Sequence, residues 1–83
     1  MRYSELVLES GFDLFREQMA GEYNRLTRQI ATNRQHVIAR SRQIIRQIDQ
    51  WAATPDLTDE EELWLEVMRE SFVELLQRAG GTP

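Results

Sequence analysis

The sequence predicts an all-α protein, a long amphipathic helix over residues ~12–52 folded back against a shorter acidic helix over ~59–79. Three observations carry this. Tyr23, Ile30, Val37, Ile44 and Trp51 recur every seven residues. Pro55 then interrupts the run, because the residue before a proline is pushed out of helical geometry. Beyond it Thr58 and Glu61 stand in the Ser/Thr-x-x-Glu spacing of a capping box, ahead of a second apolar stripe.

Residues 1–11 form a short N-terminal segment in which Tyr3, Leu6, Val7 and Ser10 are spaced for one helical turn or two. Ser10-Gly11 interrupts it, and Ser10 with Asp13 matches the cap signature that restarts a helix near Phe12. From there to Trp51 no proline intervenes, and Gly21 is the one weak point, costing about 1 kcal/mol against alanine. Such a helix is about 60 Å long. With Tyr23 and its successors at heptad position a, position d holds Met19, Leu26, Asn33, Arg40 and Gln47. The seam is therefore apolar at first and polar later, while Ile38, Ile45 and Ile48 widen the face toward Trp51. A competing arrangement breaks the long helix at Gly21 and gives three helices, ~4–20, ~22–52 and ~59–79.

Residues 53–58 make the turn. In the second helix Asp59, Glu60 and Glu61 occupy the first turn, where the helix dipole favours acids. Trp64, Met68, Phe72, Leu75, Leu76 and Ala79 form its apolar stripe, and Gly80-Gly81 ends it. Leu63, Val67 and Val73 fall off that stripe. They are either a second contact face or isolated surface apolar residues.

The chain of 83 residues reads as one helical domain, 1–83. Chains this short bury a limited share of their surface and usually need a disulfide, a metal or a partner. There is no cysteine and one histidine, His36, which removes disulfides, thiolate metal sites and paired histidine ligands. Oligomerisation is what remains. The second helix covers only the C-terminal half of the first, so Phe12, Phe15, Met19, Tyr23, Leu26 and Ile30 are expected to need cover from another chain. Together with Asn33 and Val37 they form the expected protein interface, in which Asn33 either fixes register as a polar seam residue or faces solvent where the stripe drifts. Two such hairpins close as a homodimeric four-helix-type bundle.

Charge is segregated along the chain. Residues 1–22 carry net −3, residues 23–52 net +5 and residues 53–83 net −6. Every cation except His36 is arginine. Arg25, Arg28, Arg42 and Arg46, interleaved with Gln29, Gln35, Gln43 and Gln50, form a stripe suited to phosphate contacts. A hairpin carrying such a stripe resembles, at the level of fold, the Rop-type RNA-binding bundle of two helical hairpins. That resemblance implies nucleic acid as the alternative partner. Glu62, Glu66, Glu70 and Glu74 make a ridge of like charge on the second helix, relieved in part through Glu66–Arg69 and Glu74–Arg78, which is either a solvated face or a surface for a basic partner.

No catalytic arrangement is marked. His36 has no nucleophile and no orienting acid spaced around it, and no glycine-rich phosphate loop exists. The ridge glutamates lack the Glu-x-x-His pairing of di-metal bundles, so no cofactor is expected. No run of about 18 apolar residues occurs, and the N-terminal apolar stretch is too short for a signal peptide, so no membrane association and a cytoplasmic location are expected. The expected function is a non-enzymatic protein-interaction or oligomerisation module, acting as adaptor or regulator.

Overall fold

The computed structural model describes the backbone of residues 3–81 and the side chains of residues 11–81. It consists of three α-helices, α1 (Tyr3–Gln29), α2 (Arg34–Ala52) and α3 (Asp59–Arg78), with no strand among the described residues. The all-helical class and the last helix agree with the sequence reading. The long helix does not: residues ~12–52 are two helices, and the interruption lies at residues 30–33. Gly21 is not a break either. It sits exposed inside an unbroken α1, which also runs straight through Ser10-Gly11.

The reversal between α1 and α2 is made by Ile30-Ala31-Thr32-Asn33. The amides of Thr32 and Asn33 both reach back to the Gln29 carbonyl, at 3.1 and 2.7 Å, which closes the last turn of α1. Asn33 then takes φ −148° and ψ 61°, and α2 starts behind it without a side-chain cap. Thr32 and Asn33 are weak helix formers, so the local cost of stopping here is small. The gain is larger and comes from packing: the reversal lays the apolar face of α1 on the rest of the chain. The long axis of the molecule is 46 Å, shorter than the ~60 Å of the expected single helix.

Helices α1 and α2 are antiparallel. Phe12 and Phe15 lie against Trp51, and Glu22, eighteen residues before Arg40, accepts from its guanidinium at 2.8 and 2.9 Å. Helix α3 returns antiparallel to α2, with Arg69 bonded to Asp49 at 2.8 Å and its C-terminal end beside Ile38 and Arg34. Helices α2 and α3 approach each other closely, and α1 stands further off. Large aromatic side chains fill the added width.

The core runs the length of this bundle: Phe12, Phe15, Met19 and Leu26 from α1, Val37, Ile44, Ile45 and Ile48 from α2, and Leu65, Phe72, Leu75 and Leu76 from α3 with Ala79 at its C-cap. Tyr23, Ile30, Trp51, Trp64, Met68 and Val73 are half-buried against it. Val73 is therefore a core-edge residue and not part of a second face. Leu65, absent from the predicted stripe, is 2 % exposed.

Helix α3 has both ends specified locally. The Thr58 hydroxyl accepts from the Glu61 amide at 3.1 Å, and the Glu61 carboxylate accepts from the Thr58 amide at 2.9 Å. At the other end Gly80 takes φ +93°, the Gly81 amide bonds the Leu76 carbonyl at 2.9 Å and the Gly80 amide bonds the Gln77 carbonyl at 3.0 Å. A Cβ on Gly81 would meet Leu76 at 2.5 Å, so this position needs glycine for space as Gly80 does for φ.

The uninterrupted α1 has a measurable consequence. A Cβ at Gly21 would meet nothing within 4 Å. Gly21→Ala should therefore stabilise the protein by about 0.5–1 kcal/mol in urea unfolding, the usual cost of glycine inside a helix. No gain, or a loss, would mean that the chain bends at this glycine.

Candidate protein-binding face

The residues assigned to an interface between chains divide into two groups. Phe12, Phe15, Met19, Leu26 and Val37 are buried within this chain, and Tyr23 and Ile30 are half-buried against the same core. The cover expected from a second chain is supplied by α2 and α3, because α1 is folded onto them. Asn33 is exposed in the turn. Of its two readings, the solvent-facing one holds in this chain, since the heptad count runs across a chain reversal.

The aromatic packing under α1 accounts for the first group. The Phe12 ring meets Trp51 and Trp64 edge-on at centroid distances of 5.2 and 5.7 Å, and Phe15 meets the same two rings at 5.6 and 6.0 Å. Tyr23 meets Phe72 at 5.6 Å and 89°. The Arg16 guanidinium covers the cluster from its edge, 5.4 Å from the Trp64 ring and 5.8 Å from Phe12. Sequence reasoning missed Arg16. Its spacing of four from Phe12 is the signal that was present.

The arginine stripe is divided between antiparallel helices. Arg25 and Arg28 lie on α1, Arg42 and Arg46 on α2. Arg25 pairs with Glu22 at 3.3 Å, and Arg28 donates to the Asn24 carbonyl at 3.3 Å. Arg42 and Arg46, one turn apart, remain on a common exposed face with Gln35, Gln43 and Gln50. The four cations thus no longer form one continuous line. Asp49, bonded to Arg69, raises that guanidinium above its ordinary value, first through the hydrogen bond and then through charge. Both groups are largely solvated, so the pair adds little to stability.

What remains in water is specific. Among the described residues the large apolar side chains left exposed are Leu14 at 53 %, Leu63 at 60 % and Val67 at 50 %. Leu14 edges a shallow groove between α1 and α2, whose floor is Phe15 and Trp51 and whose rim is the amides of Gln18, Gln47 and Gln50. Leu63 and Val67 are a pair. They lie one turn apart on the side of α3 opposite Leu65, Phe72 and Leu76, so no core contact explains them. Helical periodicity sets Glu66 and Glu70 along one side of this pair and Glu60 along the other, with Glu74 two turns on from Val67. All four glutamates are exposed, and none forms an ion pair with the described residues. Arg69 is turned toward Asp49 on α2, and Arg78 lies in the last turn of α3.

Among the described residues no group of three or more His, Cys, Asp or Glu side chains could hold a metal ion. His36 is exposed in the first turn of α2. No helix among them is long and apolar enough to cross a membrane. No protein-family model matches the chain, and no curated protein or solved structure matches it.

If Leu63 and Val67 serve contact rather than folding, removing them should leave the fold alone. The double variant Leu63→Ser/Val67→Ser should unfold within about 1 kcal/mol of the wild type in urea, as surface substitutions do. A loss of several kcal/mol would place these side chains in the core.

Proposed function

We propose that the chain is a non-catalytic helical interaction module, an adaptor or regulator that binds another protein through the outward face of α3. The observation that carries this reading is the exposed pair Leu63 and Val67, set on the side of α3 that the core does not use. Single exposed apolar residues are common on soluble proteins, but two adjacent ones form a patch that a partner's side chains can cover. Their exposure is not forced by an unfinished core, because the apolar faces of α1, α2 and α3 already cover one another. A contact made through them therefore adds to a bundle closed within one chain, and does not depend on a second copy to complete it.

The surface chemistry suits binding more than turnover. The candidate face is convex, carboxylate-rich and solvated, without the enclosed meeting of acid, base and nucleophile that catalysis requires.

The test is affinity purification from the native host with wild type and Leu63→Ser/Val67→Ser as baits, each with and without nuclease. The expected result is a set of proteins retained by the wild type, resistant to nuclease and lost from the double variant. Partners that disappear on nuclease treatment would move the function to nucleic acid and to Arg42 and Arg46. An identical set on both baits would remove α3 from the binding surface.

A further inference from the structure

Resting on the reading above, the structure assigns a partner chemistry to this face: we infer that α3 is docked by a cationic amphipathic helix of another protein. The apolar component sets the shape of the occupant. Leu63 and Val67 are spaced i,i+4 and form part of a helical ridge, and such ridges pack into the grooves of a second helix. The ridge is narrow, one apolar residue wide, so the partner's apolar stripe is narrow too, of the i,i+4 or i,i+3 kind.

Charge sets the rest. Glu66 and Glu70 on one side, Glu60 on the other and Glu74 beyond Val67 enclose the pair in carboxylates. These acids stand in the flanking positions that, between paired helices, select the sign of the neighbour. Within the chain they repel each other at i,i+4, in the steps Glu62–Glu66, Glu66–Glu70 and Glu70–Glu74. Of the cations on α3, Arg69 is bonded to Asp49, and Arg78 stands one turn beyond Glu74 and out of reach of Glu60, Glu66 and Glu70. A partner bearing Arg or Lys beside its apolar stripe relieves that repulsion on binding. An acidic partner, or the phosphates of a nucleic acid, would increase it.

A second copy of this chain fits less well. On its own exposed cationic face Arg42 and Arg46 stand among Gln35, Gln43 and Gln50, and the exposed Leu14 beside that face lies across the α1–α2 groove, a single apolar residue on another helix and not a stripe along α2.

The experiment is selection from a phage-displayed library of helical peptides, randomised along one face, against the full chain. Selected peptides are then titrated against the wild type, Leu63→Ser/Val67→Ser, and Glu66→Gln/Glu70→Gln/Glu74→Gln. The second variant folds by expectation, since it removes like-charge neighbours. The expected winners carry apolar residues at i,i+4 or i,i+3 flanked by Arg or Lys. They should bind roughly tenfold or more weakly to the serine variant. Their affinity should fall with salt, and the fall should flatten in the glutamine variant. No enrichment, acidic or uncharged winners, or binding indifferent to both variants would overturn the inference. Light scattering that shows a dimer abolished by the same serine substitutions would also overturn it, giving the face to a second copy. If the selection fails while native-host partners still depend on Leu63 and Val67, the interaction module stands and only the cationic helix falls.

Discussion

The packing of Phe12 and Phe15 between Trp51 and Trp64 ties all three helices together. Each ring pair contributes area, three of the four add edge-on electrostatics, and all four share one site. The site exists only if α1 returns along α2, so the reversal at residues 30–33 and the aromatic cluster depend on each other. Glu22 and Arg40 fasten the same two helices nearer the turn, and Tyr23 on Phe72 joins α1 to α3 midway. A small chain without cysteine, and so without disulfides, gains its stability by covering every helix face it can. Folding α1 back achieves this with one chain.

The parts of the fold that could be read in the sequence are those decided locally. Thr58 and Glu61 announce the start of α3 because a capping box needs only four consecutive residues. Gly80-Gly81 announces its end for the same reason. The stripe of α3 was legible from its period, although Leu65 was missed; its spacings of three from Met68 and seven from Phe72 place it inside the stripe. The reversal at residues 30–33 was not legible. Ile30-Ala31-Thr32-Asn33 contains neither glycine nor proline, and the apolar period continues across it. Ile30 and Val37 both face the core, but from either side of the reversal, so a spacing of seven suggested one seam where there are two. Tertiary contact decided the break, and local propensity merely permitted it.

The same distinction governs the surface. Residues 12–30 looked like an interface because the sequence offered them no cover, and folding supplied it. Leu63 and Val67 lay off the apolar stripe in the sequence and remain in water in the structure. That agreement is what makes them more informative than the larger apolar residues. The segregated charge now has a spatial meaning as well: the acids of α3 frame its outward face, while the arginines are distributed over the helices and partly bonded to Glu22 and Asp49.

Every contact in the aromatic cluster requires that α1 and α2 form an antiparallel hairpin within one chain. The absence of cysteine allows two spin labels to be placed without background, at Gln18→Cys and Gln50→Cys, both on the rim of the α1–α2 groove. Labelled chain diluted into unlabelled chain reports the distance within one molecule. Pulsed dipolar spectroscopy should give a separation under about 25 Å, two packed helices plus the label arms. A distribution centred near ~48 Å, the rise of 32 residues in one continuous helix, would contradict it.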